Sequence, residues 1–296
     1  MMSKHIHHHH HNEISEKSVK LLFLSFIINI LLSIAEVFGG IVSGSVALIG
    51  DALHNTSDAF SILIAVIAFK IGNKKASAKY TYGFKRAEVI GGFVNLILLF
   101  ISGCYLLVEG GEKLINPQKI DGTIIIWISV LALIIDVLTA KISHHDAQHN
   151  SNMKMVFIHN LADAFGSIGV IISGFSVIWF GLYRIDGIVA LLIAFYMIFQ
   201  SVASFPKIVN ILMNAAPDNI NIEQIKTSLL SIENIKNVYH VHVWCINEHD
   251  VAIECHIESD DTDTAYKASR LLKDKFGITH CNFQVESKSH EESCNL

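Results

Sequence analysis

The sequence predicts a membrane protein made of an all-α six-helix transmembrane bundle and a small cytosolic α+β domain. Of the 296 residues, 51% are hydrophobic and only 17% are charged, a balance that is rare in soluble domains of this size. Six apolar segments between residues 19 and 206 reach about 20 residues, the length that a spanning helix requires. After residue 217 the chain changes to polar and alternating patterns typical of a soluble domain.

The apolar segments define the predicted spans, which we place at residues 19–42, 45–70, 87–110, 121–142, 153–181 and 185–206. The loop between the second and third spans is strongly basic and contains Lys70, Lys74, Lys75, Lys79, Lys85 and Arg86. The loops on the opposite side mix a few basic residues with acidic ones. The positive-inside rule therefore places the basic loop and both termini in the cytoplasm, in a multi-pass protein of the plasma (inner) membrane.

The remaining segments flank the predicted transmembrane domain, residues 19–206. Residues 1–18 form a polar tail with five consecutive histidines, His7–His11, which is either an affinity tag or a metal-collecting tail. Residues 207–288 show the element order α-β-β-α-β, which suits a two-layer α+β domain. Residues 289–296 are predicted to be a loose tail.

Two histidine–aspartate pairs stand inside predicted spans. His54 and Asp58 are four residues apart, and His159 and Asp163 repeat that spacing in the fifth span. Each pair therefore lies on one face of its helix, one turn apart. Ionisable side chains within a membrane are costly and need partners, so one metal ion shared by all four residues is the economical explanation.

The donor types narrow the choice of metal. Two imidazoles and two carboxylates supply four nitrogen and oxygen ligands, a set that tetrahedral Zn²⁺ accepts. Imidazole favours zinc and its chemical neighbours over Mg²⁺ or Ca²⁺, and the absence of thiolates suits a carrier that must release its ion. The sequence does not rank Zn²⁺ against Cd²⁺ or Co²⁺.

Several stretches carry a resemblance to a known family: GSVALIGDALHNTSD (44–58), YGFKRAE (82–88), FIHNLADAFGS (157–167), HVW (242–244) and QVE (284–286). They resemble the motifs of the cation diffusion facilitator family, in its bacterial cobalt–zinc–cadmium efflux branch. The similarity extends over residues 15–288. It implies a homodimer with a metallochaperone-like cytosolic domain that exports divalent metal in exchange for protons.

The resemblance also assigns residues. The family's transport ligands correspond to His54, Asp58, His159 and Asp163. In the cytosolic domain, the resemblance implies a candidate metal site whose composition differs from that of the relatives: His240, His256, His280 and Glu286. Histidines on strands are, however, commonly ordinary surface residues.

Two further acidic residues are ambiguous. Asp51 lies three residues before His54. It either lines the cavity and supports the ligands without binding the metal itself, or has a structural role. Asp136 in the fourth span either takes part in proton coupling or is a hydrogen-bonded helix residue, and the second interpretation is favoured.

Two other functions use the same features. An intramembrane zinc metalloenzyme would need an open coordination position, but four protein ligands leave none and the sequence has no HExxH motif. A zinc sensor would bind metal and move none. We therefore predict a transporter and no enzyme, with metal ions, protons and lipid as partners and no nucleic acid, since the net charge is −5.

Overall fold

The computed structural model describes residues 16–72, 74, 76–147, 151–261 and 263–288. The predicted His7–His11 segment and the tail 289–296 lie outside the described residues. Two compact units divide the chain: a helical unit, formed by the residues up to 69 and 95–202, and a C-terminal unit, formed by residues 70–94 and those from 203 onward.

Six long helices dominate the described chain. They are α1 (Glu16–Ser43), α2 (Val46–Gly72), α3 (Ala87–Ile115), α4 (Gly122–Ala147), α5 (Ser151–Phe180) and α6 (Arg184–Leu212). Five of them, all except α2, are long and apolar enough to cross a membrane. α2 is 27 residues long, and the polar group Asp51, His54, Asn55 and Asp58 interrupts its N-terminal half. The predicted helical bundle is confirmed.

Three helices extend at least five residues past the predicted spans, and one of them is α4, which continues from residue 142 to Ala147. α3 continues past Gly110 to Ile115, and α6 continues through Pro206 to Leu212. A Cβ on Gly110 would lie 3.2 Å from the carbonyl oxygen of Gly187, so this glycine permits close packing rather than ending its helix. Proline removes a single backbone hydrogen bond, which a membrane helix tolerates when neighbouring groups compensate.

The start of α2 is fastened to α6 by a buried carboxylate. Asp186, in the first turn of α6, accepts hydrogen bonds from the backbone N–H of Val46 (2.8 Å) and from the hydroxyl of Ser45. The first N–H groups of a helix have no partner within the helix, and a negative charge there is favourable. Asp186 thus caps the helix that carries His54 and Asp58.

The C-terminal unit contains the predicted α-β-β-α-β domain. Its elements are α7 (Ile222–Leu230), β1 (Ile235–Cys245), β2 (Val251–Ser259), α8 (Thr264–Phe276) and β3 (His280–Glu286). β2 is the central strand; β1 pairs with it antiparallel and β3 parallel. Fully buried Leu229, Ile257 and Leu272 join the two helices to the sheet in one apolar core. The predicted two-layer domain is confirmed.

A β-bulge interrupts β1. Tyr239 pairs with His256 and His242 pairs with Glu254, so His240 and Val241 together oppose a single residue of β2. His240 has φ 50°, in the left-handed region that non-glycine residues rarely adopt. Bulges re-aim side chains, and this one determines where the imidazole of His240 lies.

Candidate metal centre

Two helices of the helical unit bring the paired residues together. α2 supplies His54 and Asp58, and α5 supplies His159 and Asp163. Because residues four apart lie on one face of a helix, each helix presents one nitrogen donor and one carboxylate to the other. The ligand atoms of all four side chains lie within 4.8 Å of one another. We call these four residues the membrane quartet.

Each imidazole in the quartet contacts both carboxylates. His54 Nε2 lies 3.0 Å from Asp163 Oδ1 and 3.6 Å from Asp58 Oδ2. His159 Nε2 lies 3.2 Å from Asp58 Oδ2 and 3.7 Å from Asp163 Oδ2. In a tetrahedral zinc site, bonds of 2.0–2.2 Å put neighbouring ligand atoms about 3.3–3.6 Å apart. The four nitrogen–oxygen distances in the quartet, 3.0–3.7 Å, fall around this spacing.

The quartet is unevenly buried. His54 is 4% exposed, whereas the side chain of His159 is 32% exposed. The second ring nitrogen of His54, Nδ1, is buried and has no hydrogen-bond partner among the described residues. The ring of Tyr196, from α6, lies edge-on to His54 with 5.5 Å between centroids. Tyr196 had no distinguishing signal in the sequence, because aromatic residues are common in apolar helices.

A second polar group joins three helices of the same unit. The hydroxyl of Ser167 in α5 lies 2.9 Å from Asp136 Oδ2 in α4 and 3.4 Å from Asp51 Oδ2 in α2. Both aspartates are buried, at 7% and 3% exposed. Asp136 thus forms a hydrogen bond within the helical unit, and its part in proton coupling stays an untested alternative. Asp51 hydrogen-bonds to Ser167 and interacts electrostatically with His54 and Asp163 of the quartet.

Another buried carboxylate, Glu36 of α1, is also tied to α2. The amide of Asn55, next to His54 in sequence, donates to both carboxylate oxygens of Glu36 at 3.1 and 3.0 Å. Glu36 is fully buried. Its position in an apolar helix was a signal for a function, since intramembrane charge is rare without one, but the sequence alone offered no partner.

The cytosolic candidates are less well assembled. His256 Nδ1 lies 3.6 Å from Glu286 Oε1, and its ring lies 5.0 Å from that of His240. Tyr239 donates its hydroxyl hydrogen to Glu286. These histidines and Glu286 do not reach the 4.8 Å grouping that the membrane quartet shows within the described chain.

His280 lies apart from the other three cytosolic candidates. It begins β3 opposite Ala252, while Glu286 ends β3 opposite Glu258. Its Nε2 lies 3.1 Å from Lys85 Nζ, and the same ammonium lies 3.1 Å from Asp250 Oδ2. The structure therefore groups His240, His256 and Glu286 and places His280 in a different contact.

Thiolates do not complete the cytosolic group. Burial raises the pKa of the Cys255 thiol to about 12, and burial also raises the pKa of Cys281. Metal ligation by cysteine needs the thiolate, which these environments disfavour. Imidazole and carboxylate are the donors that this domain offers.

Comparison with known proteins agrees with the fold. Residues 22–213 match the family model of the cation efflux transmembrane domain, and residues 217–288 match that of the cytoplasmic domain of cation efflux proteins. The chain is 32% identical to a cadmium, cobalt and zinc/H⁺–K⁺ antiporter of Bacillus subtilis, over 92% of this chain and 90% of the relative.

Other relatives are similar over comparable lengths. The metal cation efflux system protein CzcD of Cupriavidus metallidurans is 28% identical over 99% of this chain and 93% of its own length. The zinc transporter ZitB of Escherichia coli is 29% identical over 89% of this chain and 86% of its own length. These are transporters rather than enzymes. The chain therefore belongs to the cation efflux family, the cation diffusion facilitators, in its cobalt–zinc–cadmium branch.

Proposed function

We propose that this protein is a proton-coupled antiporter that exports divalent transition-metal cations, Zn²⁺ first and Cd²⁺ and Co²⁺ with it. The observation that carries the proposal is the convergence of four ligand atoms from α2 and α5 within 4.8 Å. The relatives support it, because the Bacillus subtilis protein is an antiporter for cadmium, cobalt and zinc and the Escherichia coli protein is a zinc transporter.

The membrane quartet, His54, Asp58, His159 and Asp163, binds the cargo. Two carboxylates offset the charge of a divalent ion, which matters in a segment shielded from water. Two imidazoles favour zinc and its neighbours over hard ions such as Mg²⁺. The same set is open to Cd²⁺ and Co²⁺, because selection among such ions depends on geometry more than on donor type.

Coupling to protons follows from the contacts within the quartet. Each imidazole Nε2 faces carboxylate oxygens at 3.0–3.7 Å, so a proton on either imidazole is held by the oxygens that would bind the metal. Metal binding needs deprotonated ligands and releases protons. Metal and protons therefore exclude each other at one centre, and alternating exposure of that centre to the two sides of the membrane gives exchange.

The orientation proposed is cytoplasmic for both termini, in the plasma (inner) membrane. It rests on the basic loop before α3, whose residues include Lys74, Lys79, Lys85 and Arg86. The second family model is named for a dimerisation domain, which supports a homodimer. We propose that the metal ion enters from the cytoplasmic side, is bound by the quartet and leaves on the opposite side, so that transport is export.

The C-terminal unit is proposed to bind a second metal ion weakly. His240, His256 and Glu286 are its ligands, and His280 is not among them because it lies at the opposite end of β3. Donor atoms that are not yet within a single coordination shell must move to share an ion, and that movement lowers the affinity.

The deciding experiment measures zinc uptake into everted membrane vesicles with an imposed proton gradient. Asp163→Asn keeps the shape of the side chain and removes an anionic ligand, so we expect transport to fall to background. Glu112→Gln, which removes an exposed carboxylate from α3, is the matched control and should transport like the wild type. Proton-coupled uptake that survives in Asp163→Asn would refute the assignment.

A further inference from the structure

We propose that Tyr196 of α6 is a positioning residue that holds the imidazole of His54 in its metal-binding orientation. The inference rests on the proposed function, because it gives Tyr196 a task at the membrane quartet. It adds a third helix to a centre whose ligands come only from α2 and α5.

The need for a positioning residue comes from His54 itself. Metal-binding histidines usually donate a hydrogen bond from their second ring nitrogen, which fixes the orientation of the ring. In His54 the Nε2 atom faces the carboxylates, and the buried Nδ1 atom has no hydrogen-bond partner among the described residues. The second nitrogen of His54 therefore supplies no hydrogen bond to a described residue that would fix the orientation of the ring.

Among the described residues, two aromatic rings contact His54. One is His159, whose ring lies 5.9 Å away and which is itself a member of the quartet. The other is Tyr196, whose ring lies 5.5 Å away at an interplanar angle of 72°. Edge-to-face pairs at this separation are favourable and directional. Tyr196 is therefore the contact outside the quartet that can restrict rotation of the His54 ring.

Other aromatic residues of α6 provide a contrast. Phe195 and Phe199 are 59% and 72% exposed, as expected for rings that face lipid, whereas Tyr196 is 39% exposed. Ordinary packing would make all three residues matter through the stability of the helix. A positioning role makes only Tyr196 matter for metal affinity.

The test measures zinc transport kinetics in everted vesicles for Tyr196→Leu, Tyr196→Phe and the control Phe199→Leu. The worth of an edge-to-face ring pair corresponds to about 2- to 10-fold in an equilibrium constant, so Tyr196→Leu should raise KM by about that factor with little change in the maximal rate. Tyr196→Phe keeps the ring and should keep the wild-type KM. Phe199→Leu should also keep it.

Three results would overturn the inference: an unchanged KM in Tyr196→Leu, an equal rise in Phe199→Leu, or a rise in Tyr196→Phe as large as in Tyr196→Leu. If Tyr196→Leu does not fold, Tyr196→Met fills a similar space without a ring and takes its place. Asp163→Asn in the same assay separates the two hypotheses. An inactive Asp163→Asn with a normal Tyr196→Leu refutes the role of Tyr196 alone, whereas an active Asp163→Asn refutes the quartet as the transport centre.

Discussion

Histidines and carboxylates cluster in two regions of this molecule, and the backbone presents them differently. In the membrane quartet, pairs four residues apart on α2 and α5 face each other, and their ligand atoms lie within 4.8 Å. In the C-terminal unit the candidate metal ligands lie on three strands. Neighbouring strands are about 4.7–4.9 Å apart, and successive side chains point to opposite faces of the sheet. Two facing helix turns therefore bring four metal-donor atoms close together, whereas strands hold such donors further apart.

The cytosolic group depends on an irregularity. His240 lies in the bulge of β1, with φ 50°, and the centroid of its ring lies 5.0 Å from that of His256. His280, on the regular strand β3, is left at the far end from Glu286. Similar residue types therefore produce a compact centre in one region and a loose one in the other.

The largest difference between the two regions should appear when one carboxylate loses its charge. Asp58 Oδ2 contacts both His54 and His159, at 3.6 and 3.2 Å, so Asp58→Asn weakens both halves of the quartet. We expect zinc transport at low metal concentration to fall by at least about 100-fold, since outer-shell changes alone cost 10–100-fold. Vesicle uptake assays measure this. His256→Asn is the comparison and should retain at least half of the transport activity. Equal losses in the two variants would contradict the proposed difference between the membrane quartet and the cytosolic group.

The second-largest expected effect is that of low pH on metal binding by the membrane quartet. Protonated ligands do not bind metal, so lowering the pH on the metal-binding side weakens affinity and raising it strengthens affinity. We expect the apparent KM for zinc to rise by about tenfold per pH unit for each proton that the metal displaces. Initial rates across a pH series, with the gradient held constant, measure the slope. A KM that is independent of pH would contradict competition at the quartet.

Metal stoichiometry tests the smaller, cytosolic group. In the purified full-length protein at saturating zinc, His256→Ala should remove about one bound ion per protomer, because it deletes a donor from a weak three-residue group. His280→Ala should remove none, since its ring contacts Lys85 instead. Equilibrium dialysis with metal analysis counts the ions. Loss of an ion in His280→Ala but not in His256→Ala would reverse the proposed grouping.

The smallest effect concerns Lys85, which contacts Asp250 and His280 within the C-terminal unit. Its side chain is 30% exposed and that of Asp250 is 28% exposed, so water screens the pair. Lys85→Met should lower the unfolding free energy by about 0.2–1 kcal/mol, less at high salt. Thermal unfolding at two salt concentrations tests this.

Lys226→Met, which breaks an exposed ion pair within α7, is the control and should change stability less. Unchanged stability in Lys85→Met, or a loss no larger than that in the control, would contradict the contribution assigned to the Lys85 contacts.

Most of the architecture could be predicted from local patterns. Apolar length marked the long helices, and alternation marked β1 and β2, because burial in lipid or in a sheet imposes those periods. The helix ends were less predictable: α3 and α6 continue past the predicted spans through Gly110 and Pro206, although glycine and proline often end helices. Packing against another helix and compensation within a membrane override such local signals.

The candidate centre was predictable to a similar extent. The repeated spacing of His54 with Asp58 and of His159 with Asp163 identified four residues, and their role as transport ligands stays a prediction until metal binding is measured. The contribution of Tyr196 had no local signal. The bulge at His240 also could not be predicted from the sequence, because it depends on how β1 pairs with β2.

By itself the sequence determined which residues share a helix face, where apolar segments are long enough to span a membrane and which donor types are available, because these depend on spacing and composition. Only the tertiary structure decided that the two helix faces meet, that Tyr196 packs against His54 and that His280 lies apart from His256. The physical reason is that such contacts join residues far apart in the chain, and their geometry depends on helix packing and strand register rather than on local preference.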